Sequence, residues 1–309
     1  MSFILVITGP TASGKTGFAI ECAKKYNGEI VSCDSMQIYK GLDIGTAKAT
    51  PDEQNAVRHH LIDVINYDEN FSVQQFVQKA RCAIDQIISK GKLPIIVGGT
   101  GLYINSLLHE YSFANTNKNN EIREYYNNLL QERGNEYLHS LLEQVDKESA
   151  QKIHVNDTKR IIRALEIFKT TGITKSKLNT ENKYRYESLI LVLNMEREVL
   201  YDRINRRVDR MFECGLIDEF NNVIRLNKQS SQLQSMQAIG YKELFEYLNE
   251  KLTLEETKEL IKKNTRNYAK RQLTFFRGME NAIFIDINHE KNKAFNLIED
   301  ALSKNGLKL

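Results

Sequence analysis

The chain has 309 residues, of which 41% are hydrophobic and 27% are charged, and its formal net charge is +3. These values are ordinary for a soluble globular protein. Because the net charge is small, any surface that binds nucleic acid must be a local concentration of Lys and Arg. The four cysteines are scattered without a C-x-x-C pair. This spacing argues against a structural zinc site or a disulfide framework and favours a reducing compartment.

The N-terminal region shows no targeting pattern. Its apolar run, residues 3–7, is too short for a signal peptide, and no basic segment precedes it. No stretch approaches the roughly 20 apolar residues of a membrane span. We therefore expect a cytoplasmic protein without a membrane partner.

Three short apolar runs in the first hundred residues predict strands. Glycines follow residues 3–7 at once, an acid follows residues 29–33, and a glycine-rich turn follows residues 93–97. Continuous apolar runs of this length are typical of strands that are buried on both faces of a sheet. Helices are predicted over 14–26 and 72–91, the second of which opens with a capping box and stops at a glycine. The alternation predicts an α/β fold, a P-loop NTPase-like parallel sheet flanked by helices.

The pattern changes in the middle of the chain. Residues 115–120 are polar and predict a linker, and the segment after it has a helical pattern without a buried strand. Asp157 caps one helix there, and Gly172 follows its end. Strand patterns return at 188–194 and at 282–287. We therefore predict that residues 1–118 form the first part of a core domain. Residues 119–186 form a helical insertion domain, and residues 187–309 form the second part of the core.

Residues 9–16 match the phosphate-binding pattern G-x-x-x-x-G-K-[ST] without a mismatch, between a predicted strand and a predicted helix. Backbone amides of such a loop close around phosphate oxygens, the helix N-terminus adds partial positive charge, and Lys15 adds a full one. The Thr16 hydroxyl is a candidate ligand for Mg²⁺. The motif predicts phosphate or diphosphate binding, although not nucleotide hydrolysis, by Gly9, Pro10, Thr11, Ala12, Ser13, Gly14, Lys15 and Thr16.

The second buried strand of an ordinary ATPase ends in an acid that holds Mg²⁺. Here the strand at 93–97 ends in glycines and Thr100, and the nearest acid in an equivalent place is Asp34. An acid at the carboxyl end of a strand beside the P-loop lies in the crevice where open α/β sheets bind ligands. From the residues alone, Asp34 is a metal ligand, a general base or a surface cap.

Several segments together resemble one family, the tRNA dimethylallyltransferases (tRNA isopentenyltransferases). The block at 32–48 is far more specific than the P-loop alone, and the resemblance covers nearly the whole chain in order. The matching segments are GPTASGKT (9–16), SCDSMQIYKGLDIGTAK (32–48), HHLIDV (59–64), FSVQQF (71–76), IVGGTGLY (96–103), KRIIRALE (159–166), LYDRINRRVDRM (200–211) and AKRQLTFFR (269–277).

The resemblance implies a transfer reaction rather than a phosphorylation. In the family, the exocyclic amine of an adenine next to the tRNA anticodon attacks the allylic carbon of dimethylallyl diphosphate, and pyrophosphate leaves. Negative charge develops on the diphosphate. The groups implied to stabilise it are the P-loop amides, Lys15, Mg²⁺ at Thr16 and an arginine that resembles Arg207.

The acceptor side of the reaction has its own implied residues. An adenine amine is a poor nucleophile, and Asp34 resembles the general base that assists it. Thr100 resembles the residue that hydrogen-bonds the same amine. The amine is reached only when the base leaves its stack. In the family the base then enters a channel, so the resemblance implies that the diphosphate enters from the opposite end. The segment implied to contact the adenine consists of Asp34, Ser35, Met36 and Gln37.

The predicted helix over 254–277 begins with a second capping box, and its Lys and Arg residues lie close to one face. A run of charged residues on a helix usually forms a face that is exposed to solvent. The resemblance at 269–277 instead implies phosphate contacts with tRNA, and the insertion is implied to grip the anticodon stem. The further residues implied to bind tRNA are Arg123, Lys159, Arg160, Ile161, Ile162, Arg163, Gln237, Gly240, Lys242, Lys270, Arg271 and Arg277.

Three positions depart from the family pattern. Residues 237–242 replace a block that is more often rich in Arg, Phe275 stands where Trp is common, and Lys159 stands where Gln is frequent. These departures concern individual RNA contacts and leave the predicted reaction unchanged.

Three other functions are compatible with a P-loop. An adenylate isopentenyltransferase acts on a free adenine nucleotide and needs neither the basic helix nor the insertion. A small-metabolite kinase needs an arginine positioned over ATP. A non-catalytic RNA-binding module with a vestigial P-loop would not require Lys15, Asp34 and Thr100, and all three are intact here. We therefore predict a monomeric prenyltransferase whose partners are the anticodon stem-loop of tRNA and dimethylallyl diphosphate.

Overall fold

The computed structural model describes residues 2–110, 119–178, 183–226 and 230–307. Of the predicted linker at 115–120, residues 115–118 lie outside the described residues. Within the described ranges, no helix is long and apolar enough to cross a membrane.

The chain divides into two compact units. The sheet unit comprises residues 1–108 and 185–309, and the helical unit comprises residues 109–184. An isolated antiparallel bridge joins His109 to Tyr184 at the two ends of the helical unit. The predicted insertion, residues 119–186, overlaps this unit but begins and ends later in the chain.

The secondary structure follows the predicted alternation. The strands are β1 (Phe3–Thr8), β2 (Gly28–Ser32), β3 (His59–His60), β4 (Leu93–Gly98), β5 (Glu187–Asn194) and β6 (Ala282–Asp286). The helices of the sheet unit are α1 (Lys15–Lys25), α2 (Pro51–Ala56), α3 (Val73–Ser89), α4 (Gly101–Leu108), α9 (Arg197–Glu213), α10 (Leu216–Leu226), α11 (Tyr241–Leu248), α12 (Leu254–Arg277) and α13 (Lys291–Lys304). The helices of the helical unit are α5 (Asn120–Val145), α6 (Lys147–Lys152), α7 (Thr158–Thr171) and α8 (Lys175–Leu178). Short 3-10 helices lie at Ser230–Gln232 and Ser235–Gln237.

The described strands form one parallel sheet in the order β3-β2-β4-β1-β5-β6, which confirms the predicted α/β fold. All six residues of β1 are buried, because the strand lies inside the sheet with helices on its faces. Thr8 pairs with Gly98, so β1 and β4 end together. The edge strand β3 was not predicted from the sequence, since two histidines carry no strand pattern.

Local signals at the helix ends are confirmed. The capping boxes formed by Ser72 with Gln75 and by Thr253 with Glu256 open α3 and α12. In the helical unit, the Asp157 side chain caps α7, which ends at a glycine with φ of 70°. These ends are predictable because each depends on residues within one turn of chain.

The helical unit has a core of its own, to which Leu138, Leu142 and Leu165 contribute. Glu166 is fully buried there, and its carboxylate accepts hydrogen bonds from Arg123 Nε (3.0 Å) and Arg163 Nη1 (2.7 Å). Burial by itself raises the pKa of Glu166, but the bonds from the two arginines outweigh it and hold the pKa below its usual value. The buried charge is therefore compensated.

The carboxyl ends of β2 and β4 approach so closely that residue 98 must be glycine. A Cβ at Gly98 would lie 2.0 Å from the carbonyl oxygen of Cys33. The Cys33 amide also donates to Val97 O (2.7 Å), and Thr8 Oγ1 donates to Gly98 O (2.8 Å). The loops that follow β1, β2 and β4 therefore begin side by side.

We predict that Gly98→Ala destabilises the fold by about 1–3 kcal/mol, because the added methyl group forces the two strand ends apart. The measurement is urea unfolding followed by circular dichroism. Gly17→Ala is the matched control: no atom lies within 4 Å of its added Cβ. Because Gly17 is inside α1, this change should be neutral or stabilising by up to about 1 kcal/mol. Equal unfolding midpoints for the two variants would contradict the prediction.

Candidate active site

The phosphate-binding loop between β1 and α1 has a backbone that requires its outer glycines. Gly9 has φ of 141°, and a Cβ there would lie 2.3 Å from Leu193 O. Gly14 has φ of 86° and is the N-cap of α1, where no side chain caps the helix. The first-turn amides of α1 therefore remain available to an anion.

Two cavities in the sheet unit meet at the carboxyl end of the sheet. The first has a volume of about 490 Å³ and is lined by P-loop residues that include Gly14, Lys15 and Thr16. The second has a volume of about 330 Å³ and is lined by Ser35, Met36 and residues of α9, α11 and α12, among others. The residues that line both cavities are Thr11, Asp34, Thr46, Ala47, Arg207 and Tyr268.

The fold brings Asp34 and Thr100 together, although they are far apart in the sequence. The Ser35 amide donates to Thr100 Oγ1 (3.1 Å), and the Thr100 hydroxyl donates to Ser35 Oγ (3.4 Å). One Asp34 carboxylate oxygen accepts from the Met36 amide (2.9 Å), which orients the side chain. Asp34 lines both cavities, and Thr100 lies behind it, bonded to Ser35, which lines the second cavity.

Two cations face one carboxylate at this junction. Arg207 Nη1 donates to Thr11 Oγ1 (3.2 Å), and Lys15 Nζ donates to Pro10 O (2.7 Å). Burial and the Arg207 guanidinium lower the pKa of Lys15 to about 7, against the opposite effect of Asp34. Burial likewise lowers the pKa of Arg207, and Asp34 opposes it. The excess positive charge in the first cavity favours a bound anion.

The adenine-contact segment predicted at 34–37 is divided between the cavities. Ser35 and Met36 line the second cavity, whereas Gln37 lines the first. The Gln37 amide group is occupied within the protein, since Oε1 accepts from Ser32 Oγ (3.0 Å) and Nε2 donates to Ala47 O (3.2 Å). Gln37 thus stabilises the loop that contains Ala47.

Sequence reasoning missed two residues of α12 that reach the site. Gln272 is buried, accepts from the Thr11 amide (2.9 Å) and donates to Gly99 O (2.9 Å), so it joins the P-loop to the turn before Thr100. Tyr268 lines both cavities, and burial together with Asp34 raises its pKa. The available signal was helical periodicity, because Gln272 is a polar residue on the face whose other residues are buried.

The predicted basic face of α12 is only partly available to a ligand. Lys262 is paired with Asp209 (2.8 Å), and Arg266 donates to Asn205 (2.6 Å), so their charges and donors are used within the protein. The residues of this helix that remain exposed among the predicted RNA contacts are Lys270, Arg271 and Arg277. Arg271 lies 5.7 Å from the centre of the Tyr268 ring.

The predicted contacts at 237–242 lie beside the second cavity. Gln237 and Lys242 line it, and Gln237 Nε2 donates to Ser231 O (2.8 Å). Gly240 has φ of 105° and begins α11 as its N-cap. A tRNA-binding role for these three residues stays a prediction.

The predicted contacts in the helical unit differ in exposure. Lys159 and Arg160 are exposed, whereas the side chains of Ile161 and Ile162 are buried in the core of the unit and offer no surface to RNA. Arg123 and Arg163 are about one-third exposed and are paired with Glu166. Their binding of tRNA stays a prediction.

Comparison with known proteins gives consistent matches along the chain. A family model described as IPP transferase matches residues 37–279. A tRNA dimethylallyltransferase of Acetivibrio thermocellus is 48% identical over 289 residues, which cover 93% of this chain and 92% of that protein.

Solved structures show the same similarity. A tRNA isopentenylpyrophosphate transferase of Bacillus halodurans is 41% identical with a TM-score of 0.75, covering 99% of this chain and 98% of that one. The corresponding Staphylococcus epidermidis enzyme is 40% identical with a TM-score of 0.72, covering 99% and 100%. A eukaryotic dimethylallyltransferase acting on tRNA is 29% identical with a TM-score of 0.85, covering 98% and 80%.

We predict that pyrophosphate binds less tightly as the pH rises through about 7, because Lys15, whose pKa is about 7, then loses a proton and with it its positive charge. Binding favours the charged ammonium, so the affinity should fall by up to about tenfold per pH unit while the free enzyme loses this proton. The measurement is calorimetric titration with pyrophosphate across this range. The control is Lys15→Arg, which stays charged throughout. Parallel pH profiles for the two proteins would contradict the prediction.

Proposed function

The chain belongs to the IPP transferase family, and from this premise we propose that it transfers a dimethylallyl group from dimethylallyl diphosphate to tRNA. The acceptor is the exocyclic N6 amine of an adenosine next to the anticodon, and pyrophosphate is released. The observation that carries this proposal is the meeting of a cationic P-loop cavity with a second cavity at Asp34 and Arg207.

The first cavity suits the diphosphate of the donor. The amides at the start of α1 and the Lys15 ammonium are matched to phosphate oxygens, and Arg207 adds a second cation. These groups are fixed before the donor binds, since Thr11 and Pro10 hold the two cations. They stabilise the charge that develops on the leaving diphosphate.

In the transfer step, the N6 lone pair of adenine forms a bond to the allylic carbon of the donor. The carbon–oxygen bond to the diphosphate breaks, and its electron pair leaves on the diphosphate oxygen. Asp34 accepts the proton that N6 loses. Thr100 Oγ1 accepts one hydrogen bond from Ser35. Tyr268 also hydrogen-bonds Thr100, and these contacts hold in place the hydroxyl that we assign to the same amine.

The residues of the first cavity also fit Mg²⁺. The described residues contain no group of three His, Cys, Asp or Glu side chains that could hold a metal ion. Mg²⁺ suits such a site, because it commonly takes few protein oxygens and completes its shell with phosphates and water. The Thr16 hydroxyl would hold it. When bound, it would neutralise charge on the diphosphate.

A free adenine nucleotide is the alternative acceptor. The exposed Lys270, Arg271 and Arg277 favour tRNA, since a mononucleotide has no use for cations spread along a helix. We further propose that the protein acts as a monomer, and a tRNA acceptor fits a cytoplasmic location. The test is labelled dimethylallyl diphosphate with total tRNA and, separately, with AMP. Label in tRNA alone supports the proposal, and label in AMP alone overturns it.

We predict that Asp34→Asn binds both substrates but transfers about 10²–10⁴-fold more slowly, because the amide is not a base. The measurement is single-turnover transfer at saturating donor and tRNA. Asp300→Asn on α13 is the control, because it makes the same chemical change away from both cavities. Near-normal transfer by Asp34→Asn would remove this residue from the mechanism.

We predict that Lys270→Ala and Arg277→Ala each weaken tRNA binding and flatten the slope of log affinity against log salt by about one unit. The reason is that each side chain contacts a phosphate, while the modified adenine is selected elsewhere. Lys304→Ala, an exposed change on α13, is the control. Salt titrations and sequencing of the modified site are the measurements. Unchanged slopes in both variants would show that these charges are merely solvated.

A further inference from the structure

The loop at residues 43–48 connects the two cavities. Thr46 and Ala47 line both of them, Lys48 lines the first, and Gly45 lines the second. The loop therefore forms part of a wall that both substrates share. The position of the loop therefore affects the distance between the two substrates.

The side chain of Glu219, on α10, holds this loop through the loop's backbone amides. Its carboxylate accepts hydrogen bonds from three consecutive amides, those of Asp43 (2.6 Å), Ile44 (2.8 Å) and Gly45 (3.0 Å). A carboxylate that accepts several backbone N–H bonds is strongly oriented, and the bonds are charge-assisted. Glu219 itself lines neither cavity.

Tyr241 completes the clamp from α11. Its hydroxyl donates to Glu219 Oε1 (2.5 Å), and burial together with Glu219 raises its pKa, so the hydroxyl keeps its proton. The ring also packs on the loop, since a Cβ at Gly45 would lie 2.4 Å from Tyr241 Cζ. Residues 237–239, directly before α11, line the second cavity.

A second anchor acts at the other end of the loop. The Lys48 ammonium is almost fully buried and donates to Tyr39 O (2.9 Å), to Asp63 Oδ1 (2.6 Å) and to the Asp43 carboxylate. Ala47, between the anchors, has φ of 47°, which is unfavourable for a residue with a Cβ. Such a conformation persists where the surroundings enforce it.

We propose that Glu219, supported by Tyr241, is a positioning residue for the transfer reaction. It acts through the 43–48 loop, which it holds as the fixed shared wall of the donor and acceptor cavities. The role in catalysis rests on the proposed function, whereas the clamp itself does not. Without the carboxylate, the donor still binds the P-loop, but the allylic carbon and the adenine amine are no longer held in line.

The test measures the clamp and the reaction separately. Glu219→Gln keeps the size of the side chain but turns one acceptor oxygen into a donor that faces backbone N–H groups. Asp218→Asn, an exposed neighbour on the same helix, makes the same chemical change and is the control. Tyr241→Phe removes one hydrogen bond from the clamp and keeps the ring.

Hydrogen exchange with mass spectrometry checks the clamp. We expect the peptide that covers residues 42–48 to exchange faster in Glu219→Gln, and to a smaller extent in Tyr241→Phe, while β1 and the Asp218→Asn control stay unchanged. A loop that exchanges at the wild-type rate in both clamp variants would overturn the proposal. If Glu219→Gln fails to fold, Tyr241→Phe decides.

Kinetics check the positioning. We expect kcat of Glu219→Gln to fall roughly tenfold to a hundredfold, because small displacements of reacting groups cost that much. Pyrophosphate affinity should stay within about threefold, since the P-loop is intact and the loss lies in the transfer step. A wild-type kcat with a loosened loop, or an equal loss of pyrophosphate affinity, would overturn the positioning role. Failure of the proposed function would instead appear as no transfer by the wild-type protein.

Discussion

The close approach of the carboxyl ends of β1, β2 and β4 is the constraint on which the site depends. Gly98 lies against the backbone of Cys33, and Thr8 donates a hydrogen bond to the Gly98 carbonyl. Parallel strands end at one edge of a sheet, so the three following loops share a crevice. The P-loop, Asp34 and Thr100 are neighbours in space only because of this packing.

The charged residues in that crevice determine which kind of ligand it favours. Lys15 and Arg207 are both partly stripped of water, and the Asp34 carboxylate opposes the cost of burying them. An anionic ligand relieves this cost further, so the charges of the first cavity favour the binding of an anion. The second cavity shares Asp34 and Arg207 with the first but lacks Lys15 and Thr16, so it suits a different group.

Several side chains that the sequence presents as ligand-binding groups also form bonds within the protein. Glu166 engages Arg123 and Arg163, Asp209 engages Lys262, and the Gln37 amide bonds within its own segment. A basic residue on a helix has the same sequence pattern whether its partner is RNA or a carboxylate from another element. Periodicity alone cannot separate these cases, because the partner lies elsewhere in the chain.

The sequence by itself determined the features that depend on neighbouring residues. The P-loop, the capping boxes of α3 and α12, and the alternation that gives a parallel sheet follow from glycine conformations, cap side chains and apolar periods. Only the tertiary structure decided that Gln272 bonds to Thr11, 261 positions away, and that Glu219 bonds to Asp43, 176 positions away. Such contacts depend on how whole elements pack, and no local pattern of residues records that packing.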